Sequence, residues 1–120
     1  MKSRIAITAL NTISALGSNP EEIWRHYQNS QTHIQKKLIN GETQFVASIP
    51  DDLQTQLQSI RTENTQYQHL DASVINAMWV ARQAIERAKW GNDRQFGVFL
   101  GSSRGATQQL ETYHRTFLDG

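Results

Sequence analysis

The stretch most able to hold or position a ligand is Phe96–Thr107, FGVFLGSSRGAT. An apolar run ends in Gly101, Ser102, Ser103, Arg104 and Gly105, and a helical pattern follows. A strand that runs through a glycine turn into a helix presents backbone N–H groups where an anion can be received. Both nucleotide versions of this arrangement fail on their own residues. The dinucleotide fingerprint needs a glycine where Ser103 stands, and a phosphate-binding loop needs a lysine that does not follow Gly105. Backbone amides and Arg104 can still receive an anion at the helix start. A tight turn whose glycines allow close packing is the simpler reading and is preferred.

Other residue types offer less chemistry. The histidines are His26, His33, His69 and His114. None stands four residues from another as a helical metal pair does, and no carboxylate joins them in a liganding pattern, so structural roles are expected and no metal. Glu21 with Glu22, and Asp51 with Asp52, fall in first helical turns, where they favour the helix dipole. Trp24, Trp79 and Trp90 read as packing anchors, and no Gly-x-Ser-x-Gly elbow occurs. The chain has no cysteine. It therefore offers no disulfide, no thiolate zinc site and no thiol nucleophile. No catalytic residue is assigned, and no cofactor.

The 120 residues fit one domain with a modest core, and the hydrophobic content of 38% is low for a tightly packed globule. Twelve basic and eleven acidic residues leave a net charge of +1. No basic track points to nucleic acid. The apolar run in MKSRIAITAL is too short for a signal sequence or a membrane span, so a cytoplasmic protein without membrane attachment is expected.

The elements that must position these residues follow from local patterns. Arg4–Leu10 reads as a strand buried on both faces. Asn19 caps a helix with Pro20 at its first position, and Glu22 completes a capping box, with Ile23, Trp24 and Tyr27 at helical spacing. Thr43–Pro50 reads as a short edge strand. Leu53, Leu57 and Ile60 form a narrow apolar stripe on a second helix. Arg61–Gln68 is a polar connection. Asp71 caps a helix running to about Trp90, with Val74, Ala77, Met78, Ala81, Ala84, Ile85 and Ala88 as its packed face, and a glycine closes it. Gln95–Gly101 is a second buried strand, and a last helix turns Leu110, Tyr113, Phe117 and Leu118 inward. Alternating strands and helices give an α/β class. The abrupt stop at FLDG suggests truncation.

Three segments together resemble the β-ketoacyl-acyl carrier protein synthases. ITALNTISALGSNPEEIWRHYQNSQTHI is similar to the family's opening, in which a strand passes through Thr-Gly-x-Gly-x-x-Ser-x-x-Gly into a helix. Thr8, Ser14 and Gly17 match that frame, whereas Ala9 and Asn11 stand in place of its glycines. LDASVINAMWVARQAIERA resembles the family's alanine-rich helix, and FGVFLGSSRGATQQLETYHRTFLDG its strand, Gly-Ser turn and following helix. Leu38–Gln68 is the least family-like stretch.

The resemblance implies a thiolase-like α/β fold, of which residues 1–120 form part of the N-terminal half, with strands and helices alternating around a mostly parallel or mixed sheet. It implies decarboxylative condensation of acyl and malonyl thioesters, acyl carrier protein as partner of the full-length protein, and a homodimer or heterodimer. In the family the cysteine nucleophile and two histidines lie beyond the segment present here, so truncation before the nucleophile is expected and the isolated chain is expected to be inactive. Gly101, Ser102, Ser103, Arg104 and Gly105 would then shape the acyl pocket or an interface. Two alternatives stay open: a non-catalytic partner subunit like a chain-length factor, and a small anion-binding α/β domain.

Overall fold

Local capping chemistry sets the first element of the computed structural model, which describes residues 4–91, 95 and 97–120. Helix α1 spans Pro20–Gln28, and Asn19 Oδ1 accepts from the N–H groups of Glu21 and Glu22 at 2.9 and 3.2 Å. Two donors that no helical carbonyl can reach are thereby satisfied. Glu22 does not return the favour to complete a capping box. Its carboxylate turns instead toward His26, 3.8 Å away. Just before α1 a tight turn joins Ser14 to Gly17 through two reciprocal backbone bonds of 3.1 Å, and Ser14 Oγ accepts from Leu16 N. Gly17 has φ +96°, a left-handed angle that disfavours any residue with a Cβ. Two of the three matches to the family frame, Ser14 and Gly17, are thus the residues that close this turn.

Strands β1 (Gln35–Ile39) and β2 (Glu42–Val46) form an antiparallel hairpin, with Gln35 opposite Val46 and Ile39 opposite Glu42. Asn40 and Gly41 connect them with φ of +53° and +84°. Two consecutive left-handed residues are what a primed turn requires, and Asn-Gly supplies them at least cost. The strand expected over Thr43–Pro50 is therefore shorter and earlier, and its partner β1 was not expected. Lys36 and Phe45 face each other across the ladder, with the ammonium 5.5 Å from the ring centre.

Helix α2 (Asp51–Glu63) buries Leu53, Leu57 and Ile60, the expected stripe. Helix α3 (Ala72–Arg87) meets it with Ile75 and Trp79, one turn apart. This is not the alanine-rich face expected. Ala77 and Ala81 are exposed, because large side chains gain more by burial than alanines do. The alanine face is used elsewhere: Ala84 and Ala88 share a small cleft of about 100 Å³ with Thr8 and Ala9, and Arg87 Nη1 donates to the Leu10 carbonyl at 3.3 Å. Nor is α3 closed by Gly91. Lys89 adopts φ +53°, while Lys89 N and Trp90 N donate to Glu86 O and Ile85 O. That is the Schellman arrangement with a lysine in the glycine position.

A short 3-10 helix, Thr65–His69, fills the polar connection between α2 and α3. Around its end lies the most connected polar joint of the molecule. Buried Asp71 caps α3, its Oδ1 accepting from Ser73 N at 2.8 Å and from Ser73 Oγ at 2.7 Å. Its Oδ2 accepts from Gln108 N in the first turn of helix α4 (Thr107–Asp119) at 3.3 Å. Arg61 Nη1 reaches from α2 to the carbonyls of Leu70 (2.6 Å) and Gln68 (3.3 Å). The Gln109 amide donates to the His69 carbonyl.

The two segments expected as buried parallel strands have no regular secondary structure and no strand partner among the described residues. Arg4–Leu10 and the described part of Gln95–Gly101 join no sheet; Phe96 lies outside the described residues. Ile5 is 98% and Phe99 97% exposed. A strand needs a hydrogen-bonding neighbour, and neither segment finds one among the described residues. Leu110, Tyr113, Phe117 and Leu118 of α4 are exposed as well, contrary to the expectation that they face inward. The radius of gyration is 18.0 Å, against about 14 Å for a compact domain of this length.

The bonds from Ser73 and then Gln108, with Arg61 nearby, hold the Asp71 carboxyl below its ordinary range. A depressed acid contributes its stability in full above the unfolded pKa of about 3.9 and loses it as pH falls through the lower folded value. Asp71→Asn should therefore melt at a lower temperature than wild type at neutral pH, and the gap should close on acidification below about pH 4. Thermal melts across that range check this. A gap independent of pH would mean that the carboxylate charge is not what the two helices hold.

Candidate functional site

The five residues picked out by sequence lie together in one exposed turn before α4. Ser102 Oγ accepts from Gly105 N at 2.9 Å, and Gly105 O accepts from Thr107 N at 3.1 Å. A serine hydroxyl thus closes the loop over three residues, as hydroxyl turns do. Gly105 has φ +68°, so its glycine answers to the backbone angle. Gly101 answers to no neighbour: a Cβ there would meet nothing within 4 Å. The turn is tight, but its glycines do not serve close packing within this chain. Arg104 is exposed and forms no ion pair among the described residues.

Helix α4 begins at this turn with Ala106 in the capping position and no side-chain cap of its own. The donor at Gln108 is taken by Asp71. The negative charge that a helix start attracts is therefore supplied from within the chain, by the same carboxylate that caps α3. Sequence spacing identifies Asp71 as the cap of α3; its second role depends on a partner thirty-seven residues away and has no local signal. A cleft of about 370 Å³ lies next to this joint, between His69–Asp71 and Gln108, Gln109 and Arg115.

A second cleft, of about 380 Å³, is almost wholly apolar. It is lined by Leu10, Pro20, Ile23, Trp24 and Tyr27, with Asn11 in its wall. The side-chain nitrogen and oxygen of Asn11 are both buried and neither has a hydrogen-bond partner. A buried amide without partners is costly. Asn11 stands where the resemblance places a glycine, which would bring no polar atoms to this spot.

The third grouping went unseen in the sequence. His26 Nδ1 and His33 Nε2 lie 3.0 Å apart, their rings nearly perpendicular. They are seven residues apart, and a chain reversal after α1 brings them together, so no helical spacing reveals them. His69 borders the cleft beside Asp71, and His114 is exposed on α4. Among the described residues no three His, Asp or Glu side chains converge as a metal-binding group. No described helix is long and apolar enough to cross a membrane.

Residues 2–117 match the family described as "Beta-ketoacyl synthase, N-terminal domain". The chain belongs to the β-ketoacyl synthase family. No curated protein and no solved structure matches it. The family is one of condensing enzymes, acyltransferases by reaction type, and its N-terminal domain is thiolase-like. The mixed architecture seen here, four helices and a two-stranded sheet, belongs to that class.

The Asn11 amide gives this β-ketoacyl synthase domain a measurable weak point. Asn11→Leu keeps the side-chain shape, removes both unpaired atoms and adds apolar contact with the cleft. It should raise unfolding stability by about 1–3 kcal/mol. Urea unfolding of the two proteins checks the value, and a loss of stability would show that the amide has a partner in solution.

Proposed function

We propose that this chain is the N-terminal portion of a β-ketoacyl-acyl carrier protein synthase, acting in fatty acid or polyketide-type biosynthesis. The family match over residues 2–117 carries the reading. In the reaction a cysteine thiolate takes an acyl group from its carrier as a thioester. A malonyl unit on acyl carrier protein loses carbon dioxide, and its enolate attacks the acyl carbonyl and expels the thiolate. These 120 residues contain no cysteine, so the thiol that bears the acyl group must come from outside them. Their part in the reaction is positional.

Two features support that division of labour. Ile5, Ile7, Val98, Phe99 and Leu100 expose apolar side chains on segments that pair with no strand among the described residues. Exposed apolar surface of this extent marks an interface. The turn Gly101–Gly105 stands at the end of one such segment, with all five residues exposed. In the assembled enzyme we place it at the acyl pocket or the subunit interface, with acyl carrier protein as the external partner and a homodimer or heterodimer as the working form.

Purified by itself, the 120-residue chain should take no acyl group from labelled acyl or malonyl thioesters, since hydroxyls and imidazoles without an organised site are poor nucleophiles. Intact-mass measurement after incubation checks this. Covalent labelling at a single position would overturn the positional reading.

The turn has its own test in the assembled enzyme. A guanidinium at a pocket wall needs a polar partner, because burying it alone costs several kcal/mol. Arg104→Ile should therefore shift preference toward longer, more apolar acyl chains, as read from the product lengths of competing acyl carrier protein substrates. An unchanged length profile would return Arg104 to the status of a surface charge.

A further inference from the structure

We propose that His26 and His33 bind a late first-row divalent cation, Cu²⁺ or Ni²⁺, as two adjacent imidazole ligands. The proposal is independent of the condensing chemistry. His26 sits in the last turn of α1, and His33 lies in the connection to β1. Two side-chain turns fold that connection back: Asn29 Oδ1 accepts from Gln31 N, and Thr32 Oγ1 from Ile34 N, each at 3.2 Å. Both rings are only half-buried, so solvent reaches them.

Glu22 lies on the far side of His26 from His33. Its Oε1 lies 3.8 Å from His26 Nε2, which favours the proton of neutral His26 on that side. The lone pair is then on Nδ1, toward His33. A carboxylate behind the non-ligating nitrogen is the usual way a metal-binding histidine is held in its tautomer. Gly17 leaves space for that carboxylate, since a Cβ at this position would stand 3.1 Å from Glu22 Oε2.

The two nitrogens already stand as close as two ligands of one ion do. Two imidazole nitrogens bound about 2.1 Å from one ion lie about 3.0 Å apart at a right angle and about 3.4 Å apart at the tetrahedral angle. The observed distance is 3.0 Å. It is also the length of the hydrogen bond between the two rings, so both must turn to admit an ion, and the choice of Cu²⁺ or Ni²⁺ rests on how strongly imidazole holds these late metals. On binding, the His33 proton passes from Nε2 to Nδ1 and both rings turn until their lone pairs meet at the ion. A neutral pair thus takes up the cation without net proton release. Water completes the shell, since no third His, Asp or Glu converges on the pair among the described residues. Lys37 and Asp51 line the cleft against His33 with opposite charges, so they leave the cation neither strongly attracted nor repelled.

Titration of the 120-residue chain with Ni²⁺ and Cu²⁺ by calorimetry, with electron paramagnetic resonance of the Cu²⁺ form, tests this. One ion per chain and coupling to two imidazole nitrogens are expected. His26→Gln and His33→Gln should each lower the affinity by about tenfold or more, and Glu22→Gln by a smaller factor. The double variant His69→Gln, His114→Gln should bind as wild type does. Binding should weaken on acidification, because both ligating nitrogens must be unprotonated. Circular dichroism without metal shows whether each variant is folded. If one is not, the wild-type spectrum decides alone. Fewer than two coupled nitrogens, no saturable binding, or affinity unchanged in folded His26→Gln or His33→Gln would overturn the proposal.

Discussion

The arrangement of helices in this chain depends on one carboxylate shared by two helix starts. Asp71 accepts from Ser73 at the beginning of α3 and from Gln108 at the beginning of α4. Each helix start carries unsatisfied N–H groups and a partial positive charge, so a single anion between them stabilises both. Arg61 stands behind it, bonded to the Leu70 and Gln68 carbonyls, and lowers the carboxyl pKa further. The geometry matters more here than in a well-packed domain. The buried apolar core is Leu53, Leu57, Ile60, Ile75 and Trp79, all on α2 and α3. No buried apolar residue lies on α4. Its place against the rest is set by polar contacts, Gln108 to Asp71 and Gln109 to His69.

That division explains the expanded dimensions of the molecule. Apolar side chains do not draw a segment into a core unless its backbone polar groups also find partners there. Arg4–Leu10 and Gly97–Leu100 are apolar enough to be buried, yet among the described residues no strand pairs with them. The hairpin β1–β2 does pair, because its turn brings the two strands together within twelve residues. Local pairing succeeds where distant pairing has no partner. This chain thus forms helices, turns and a hairpin, while the two strand-like stretches stay without a strand partner among the described residues.

The same distinction separates what could be read in the sequence from what could not. Asn19 and Asp71 as caps, Pro20 at the first helical position and the stripe Leu53, Leu57, Ile60 are local signals, and the structure bears them out. The hairpin was equally local: Asn40-Gly41 is a strong turn signal, but the polar strand Gln35–Ile39 has no apolar alternation to accompany it. On α3 the recurrence of alanines outweighed Ile75 and Trp79, although bulk, not periodicity alone, decides which face is buried. The left-handed Lys89 was masked by the glycine two residues later. The second bond of Asp71 and the meeting of His26 with His33 are products of chain reversal, and no spacing rule contains them.

Ala9 and Asn11 show where this chain departs from its family in a physically consequential way. A glycine contributes no side chain, so it lets other structure approach the backbone. Alanine at 9 adds one methyl, and Thr8–Ala9 still lies against Ala84 and Ala88 with a small gap. Asparagine at 11 is a different change. Its amide is buried and unpartnered in the wall of an apolar cleft made by Leu10, Ile23, Trp24 and Tyr27. A buried donor and acceptor pair favours whatever brings a complementary donor and acceptor, and a peptide group brings both. The substitution therefore converts a position that merely tolerates a close neighbour into one that carries an unmet donor and acceptor inside an apolar wall.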